Sequence, residues 1–348
     1  MMRSFFFVLA IILSGCQGDP PSDNVPSVAP LISPSTEHLL LIYEIRETTG
    51  NPSRLSNTQT QLLETQLRKR LDPDGRIGID ARVREMTTLD ILLPADFPLT
   101  QQKRLRDLLS QPGFLEFRVL ANRKSHQSLL KEISETTNPE TPTIARTLAD
   151  GSQQAIGKWV QIARGPLTPS GHRSYKYVPR NDVVRDAKTG KLLSLDEFQP
   201  ETDQAGLELA RYLESQKVTD IQVLVVTGDG CDLTGDMISS VTSLTSDGQS
   251  TFDIHFTPAG TAELTKLTAQ HKPNLERTQF CTMAIILDDQ ILTAPRIMEE
   301  LRTDRALITG HFSEAEVEEI ATILRSGSLP KGLLLKFRRR QLVPASPP

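Results

Sequence analysis

Six histidines could ligate a metal or move a proton, and their spacing argues against both. His38, His126, His172, His255, His271 and His311 fall in unrelated segments, and there is no His-Glu-x-x-His run to set two imidazoles on one helix face. Each reads as a surface or half-buried residue. Gly228-Asp229-Gly230 lacks the Lys and Ser/Thr of a phosphate loop and the third glycine of a dinucleotide fingerprint, so it reads as a turn. Asp288-Asp289 offers two carboxylates without the further oxygen ligands a hard cation gathers, and reads as a solvated hairpin turn. With no Gly-x-Ser-x-Gly elbow, the serines carry no nucleophile signal. No catalytic residue, cofactor-binding residue or metal ligand is expected, and the chain is not expected to be an enzyme.

The three cysteines carry more. Arg3 precedes an apolar run over residues 5–13, too short for a membrane span of ~20 residues, and Leu13-Ser14-Gly15-Cys16 has the small-residue pattern of a lipoprotein cleavage site. Residues 1–15 are therefore expected to be a signal peptide and Cys16 the lipidated mature N-terminus. The rival reading is a buried apolar segment with an incidental cysteine. Residues 16–36 turn abruptly to Pro, Ser, Asp and Asn without apolar periodicity, which is the composition of a flexible tether. Gln17 follows Cys16 where Asp would signal retention, so the inner and outer membranes both stay open. In an oxidising compartment the remaining Cys231 and Cys281 either pair as a disulfide or stay as two buried, inert thiols, and the sequence leaves both open.

At 348 residues the chain can hold two or three units with real cores, and 38% hydrophobic against 24% charged residues describes a soluble body. A net charge of -4 gives no reason to expect nucleic-acid binding. Basic runs such as Arg68-Lys69-Arg70 read as solvated helix faces.

The periodicity predicts the elements. Residues 39–45 read as a buried strand, and Ser56 with Gln59 forms a capping box for a helix that stacks Leu63, Leu67 and Leu71. Ile77, Ile79, Ala81 and Val83, then Leu89, Ile91 and Leu93, alternate with polar residues as an antiparallel pair. Thr100 is expected to cap a second helix bearing Leu105, Leu108 and Leu109, and Leu115, Phe117 and Val119 make a fourth strand. The order is βαββαβ, a ferredoxin-like base over 37–122, with Leu63, Leu67, Leu105, Leu109, Phe117 and Val119 in one core. Residues 123–219 read as an elaborated, partly mobile connection, with helical stretches near 126–134 and 206–215, a strand around 159–163 and a polar hairpin-like piece over 175–193.

Residues 220–330 form a second, smaller α+β unit. A strand over 221–226 leads in. Phe252, Ile254 and Phe256 share one face of a strand, Thr257 caps a helix with Pro258 at its first position, and residues 283–295 make a hairpin about Asp288-Asp289. A strand over 306–309 and a helix behind the Ser313/Glu316 capping box complete it. In the tail, Lys336 and Arg338 to Arg340 could meet an anionic membrane surface. The alternation favours instead the exposed face of a last strand that turns Leu333, Leu335 and Phe337 inward.

Several of these runs resemble one family. AIILDDQILTAP at 284–295, ITG at 308–310, ILRSGSLP at 323–330, LTGDM at 233–237 and FTPAG at 256–260 are similar to the head of the large periplasmic domain of SecD, an accessory subunit of bacterial protein export. LIYE at 41–44, LRKRLDPDG at 67–75 and PGFLEFR at 112–118 extend the resemblance to its base. It implies a ferredoxin-like base with an α+β head, and a return of residues 331–348 to the base as a strand. It also implies a lipid-anchored, periplasm-facing protein that assists export by transiently binding translocating, unfolded polypeptide. Sec membrane subunits and, through the N-terminal lipid, the membrane would be partners, with no nucleic acid and no cofactor. The alternative is a binding or scaffolding lipoprotein that keeps the fold without the export role. SecD continues past its Leu-Pro segment into membrane helices; this chain ends eighteen residues after Pro330, at Pro348, so the motor half is expected to be absent.

Overall fold

The computed structural model describes residues 37–47, 50–133, 137–246, 249–273, 280–310, 312–330 and 332–344. Cys16, the expected signal peptide and tether, and His311 lie outside the described residues. The chain divides into two units, a head over Phe114–Val317 and a base that joins residues up to Gly113 with residues from Glu318 onward. The class is α+β.

The base begins with β1 (Glu37–Glu47) and α1 (Asn57–Leu71). Ser56 Oγ accepts from the Gln59 N–H at 3.3 Å and the Gln59 side chain accepts from the Ser56 N–H at 2.9 Å, so the capping box is formed. Next come β2 (Asp80–Arg84) and β3 (Thr88–Pro94), joined through Glu85 and Met86, both at positive φ (54° and 60°). These are the torsions of a two-residue turn that matches strand twist. Helix α2 (Leu99–Ser110) starts one residue before Thr100, behind Pro98 and without a side-chain cap, so Thr100 lies inside the helix rather than capping it. Proline fixes the entry torsion and supplies the start that a hydroxyl cap would otherwise mark.

The head follows in chain order as β4 (Leu115–Val119), α3 (Gln127–Leu130), β5 (Thr143–Thr147), β6 (Gln153–Ile162), β7 (Arg164–Leu167) and β8 (Arg173–Tyr175). Then come β9 (Val184–Asp186), β10 (Leu192–Leu193), α4 (Ala205–Ser215), β11 (Ile221–Val226) and β12 (Leu233–Thr234). The last part of the head holds β13 (Ile238–Ser246), β14 (Gln249–Phe256), α5 (Pro258–Gln270), β15 (Met283–Leu287), β16 (Gln290–Thr293) and β17 (Arg305–Ile308). Helix α6 (Glu314–Ser326) and β18 (Leu333–Pro344) end the described chain, and the boundary between the units falls within α6.

Sheet topology corrects two expectations. The base sheet has the order β18-β1-β3-β2, so the ferredoxin-like pattern is completed by β18 and not by β4. The base core gathers Leu63, Leu67, Leu105 and Leu109 with Ile323 and Leu329; Phe117 and Val119 do not belong to it. Strand β4 pairs with β15 and β12 in the head, where Phe117 meets Phe256 edge-on at 5.7 Å. Its alternation identified a buried strand but could not name its partner.

The second correction concerns residues 123–219. They are no mere connection, since β6 lies at the centre of the nine-stranded head sheet β10-β9-β11-β6-β16-β15-β4-β12, with β5 also on β6. Their expected first helix shrinks to the four residues of α3. The bridge Leu120↔Val225 links the end of β4 back to β11, so that β11, β6, β16, β15 and β4 form a closed ring of pairings. Closure leaves fewer open edges. With these strands added, the head is the longer unit, not the smaller one.

Candidate functional site

Two places in the head bring together residues that the sequence scatters. The first is a polar cluster between the end of α5 and the turn after β11. His271 is the C-terminal cap of α5 and His126 precedes α3, and their rings lie 6.1 Å apart. His271 Nε2 stands 3.7 Å from Asp229 Oδ2, an ion-pair distance rather than a hydrogen bond. Gly228 and Gly230 flank Asp229 at φ 71° and 79°, so the expected turn is formed, and Asp229 Oδ1 accepts from the Cys231 N–H at 3.0 Å. Asn122 donates its backbone N–H to His126 Nδ1 at 3.1 Å, which makes Nδ1 the acceptor nitrogen of that ring.

Both cysteines belong to this cluster, and the structure holds them as buried free thiols rather than as a disulfide. Each sulfur has its own partner. Cys231 Sγ donates to Gln270 Oε1 at 3.2 Å, and Asn122 Nδ2 approaches Cys281 Sγ at 4.0 Å. Burial and the nearby Asp229 carboxylate push the Cys231 thiol up, which keeps it protonated and unreactive.

Burial disfavours the cation in both imidazoles, yet the two shift in opposite directions. In His271 the effect of burial is outweighed by Asp229 and Cys281, and its pKa is raised to about 9. In His126 burial and the neighbouring His271 charge act together and lower it. The result is one imidazolium beside one neutral imidazole, a charge pattern that ties the turn after β11 to the end of α5. Among the described residues no group of three His, Cys, Asp or Glu side chains could hold a metal ion. No spacing rule could have found this cluster, because its members meet only through sheet closure.

The second place is the three-stranded sheet β13-β14-β17. Phe252, Ile254 and Phe256 are buried as the alternation requires, with Val241, Ala306 and Ile308 on the same side. The opposite face carries Thr242, Leu244, Thr251, Asp253, His255 and Arg305. Arg305 holds Asp253 through two bonds of 2.7 Å, and Leu244 is 39% exposed. Such a face offers hydrogen-bonding groups around an accessible apolar side chain.

Two further positions frame the head. Gln290 is exposed at the start of β16, after Asp288 and Asp289, whose positive φ values (49° and 62°) form the expected hairpin turn. Ser313 is exposed and caps α6; its N–H donates to Glu316 Oε2 at 2.9 Å, and Lys176 Nζ donates to Glu316 Oε1 at 2.6 Å.

The family model described as "SecDF, P1 head subdomain" matches residues 210–331, which include α5, the β15-β16 hairpin, the three-stranded sheet and α6. Residues 210–331 are thus similar to the SecDF P1 head subdomain. The protein translocase subunit SecD of Acidaminococcus fermentans is 39% identical over 99 residues, 28% of this chain and 22% of that protein. The match to SecD of Rhodothermus marinus is longer, at 26% identity over 252 residues, covering 66% of this chain and 38% of that protein. The chain thus spans well under half of the curated SecD relatives it matches. A crystal structure of SecDF in its super-membrane-facing form covers 88% of this chain and 30% of that one, at 18% identity and a TM-score of 0.51, which establishes the shared fold. Base and head are thus similar to the SecD periplasmic region. No helix among the described residues is long and apolar enough to cross a membrane.

Proposed function

We propose that this protein assists protein export on the periplasmic side of the membrane by transiently binding polypeptide in transit. The observation that carries this reading is the P1 head match over residues 210–331. The face with Thr242, Leu244, Thr251 and Arg305 supports it, because hydrogen-bonding side chains around one exposed leucine suit a sequence-tolerant contact. Such binding is weak, since a disordered chain spends part of its interaction energy on ordering and must also leave. Sec membrane subunits are the proposed protein partners, and a lipid on Cys16 the proposed anchor. Cys16→Ser should move the protein out of the membrane fraction, and a variant that stays membrane-bound removes the anchor from the proposal.

The decisive test is crosslinking from a photoreactive residue at Gln290 or Ser313, both exposed, during export of a stalled secretory substrate. A substrate adduct is the expected outcome. No adduct, together with a small molecule that co-purifies at stoichiometric occupancy, would replace export by a binding or scaffolding lipoprotein.

A further inference from the structure

Strand β18 is the edge of the base sheet. It runs antiparallel to β1 from Glu37↔Pro344 to Glu47↔Leu333, and its other side has no partner strand among the described residues. In an antiparallel pair about half of the backbone N–H and C=O groups point away from the neighbour, so a twelve-residue strand presents a row of unsatisfied donors and acceptors. Long edges are usually covered, shortened, blocked by proline, or guarded by charges and bulges against pairing with a like strand. Here the only proline is Pro344, the last residue of the strand.

Two features tell what this edge would accept. Leu334, Phe337 and Leu342 are 43%, 42% and 61% exposed along it, although Phe337 also rests edge-on against Tyr43 at 5.5 Å. The register shifts between Ile42 and Tyr43, which leaves Arg338 as the extra residue of a bulge. The strand is also cationic. Arg338 is taken by Glu44, which also holds Arg46 at 2.7 Å, but Lys336, Arg339 and Arg340 are exposed and form no ion pair among the described residues. Two copies of β18 laid side by side would bring six such cations together, which opposes self-pairing. An acidic strand meets no such opposition.

We propose that the β18 edge docks an extended, acidic polypeptide segment of a partner protein, added to the base sheet as a fifth strand. Backbone bonds would supply the pairing, and Lys336 and Arg339, which share the face of Glu44 and Ile42, would select for carboxylates on that face, with Arg340 adding its charge from the other. The site lies in the base and is independent of whether the head contacts exported chains.

The test uses the full chain and a labelled twelve-residue peptide of alternating Glu and Val, followed by fluorescence anisotropy. Binding should weaken at least tenfold in the double variant Arg339→Glu/Arg340→Glu, and at least tenfold when alternate valines of the peptide are replaced by proline, which cannot donate. Amide exchange should show new protection confined to β18. A proline-substituted peptide that binds as well as the parent would mean charge attraction without strand pairing and would overturn the proposal. So would concentration-dependent dimerisation lost in the double variant, or binding to phosphatidylglycerol vesicles with no peptide binding, since these assign the edge to a second copy or to lipid. The exposed positions chosen leave the core intact, and an unchanged unfolding midpoint of the double variant checks this.

Discussion

Among the described residues each unit buries one arginine almost completely, and the two are held in different ways. In the base, Arg70 is 1% exposed and donates to Ser326 Oγ (2.9 Å), Leu108 O (3.1 Å), Pro112 O (3.3 Å), Gly327 O (2.8 Å) and Gln111 O. These acceptors cluster at the C-terminal ends of α2 and α6, where helix carbonyls lack intrahelical donors and the macrodipole is negative. In the head, Arg185 donates to Gln222 Oε1 (2.8 Å), Thr137 Oγ1 (2.7 Å), Asn138 O (3.1 Å) and Pro139 O (3.3 Å), with its guanidinium 4.6 Å from the centre of the Trp159 ring. The sequence reach differs most. Arg70 joins residues 256 positions apart, whereas Arg185 and Thr137 are separated by 48. A unit made of two distant stretches of chain needs a tie across the break, and a continuous unit needs only to fasten its own excursions.

The strongest way to break this comparison is Arg70→Ala. It leaves several buried carbonyls without a donor and opens a cavity against Gly113, so the base should lose on the order of 3–5 kcal/mol. Gly113 shows how tight the site is: at φ 85°, an added Cβ would come within 2.7 Å of Ile323 Cγ2 and 3.0 Å of Arg70 Nη2. Denaturant unfolding measures the loss, and a loss below about 1 kcal/mol would mean that the apolar core alone joins the two stretches.

Arg70 also shows where the sequence was legible and where it was not. Arg68-Lys69-Arg70 reads as a solvated helix face, yet Leu63, Leu67, Arg70 and Leu71 are the buried residues of α1. Their 4-3-1 spacing is that of one helix face, and charge alone had argued against it. The capping boxes at Ser56 and Ser313, the Asp288-Asp289 turn and the inward side of β14 were all readable, because each is set by neighbours within four residues. Strand partners were not. Leu115, Phe117 and Val119 declare a buried strand without saying which sheet takes it, and β6 became the centre of the head through pairings with β11, β16 and β5 that no local pattern encodes. The cluster of His126, Asp229, His271 and the cysteines was illegible for the same reason.

pH separates the units in a second way. His271 has its pKa raised from 6.5 to about 9, so its contribution to head stability is complete below about 6.5 and is lost as pH rises through about 9. His126 is lowered from 6.5 and acts in the opposite sense: the stability it contributes is present above 6.5 and lost on acidification. Head stability should therefore be greatest near pH 6.5. The alkaline loss is on the order of 3 kcal/mol at most, since Asp229 stands at 3.7 Å rather than at hydrogen-bonding distance. His271→Gln should flatten the alkaline limb in amide exchange read over head residues and leave base residues unchanged. Equal changes in both units would show that the cluster does not report on the head alone.

The smallest expected effect sharpens the comparison most, because it asks what Arg185 supplies beyond charge. Burial lowers its pKa only to about 10, so it is cationic at neutral pH and its acceptors are neutral oxygens rather than carboxylates. A lysine there keeps the charge but reaches fewer of the four acceptors, and its ammonium lacks the planar face that rests on Trp159. Arg185→Lys should therefore cost about 1–2 kcal/mol, well below Arg70→Ala, because the excursion over residues 137–139 can fray while β6, β9 and β11 stay paired. Trp159 is the only tryptophan in the chain, so its emission reads this site alone. The variant should shift that emission to the red before global unfolding begins. A loss as large as that of Arg70→Ala, with emission and global unfolding changing together, would mean that Arg185 supports the whole head sheet, and the distinction between a tie across the chain and a local fastening would fail.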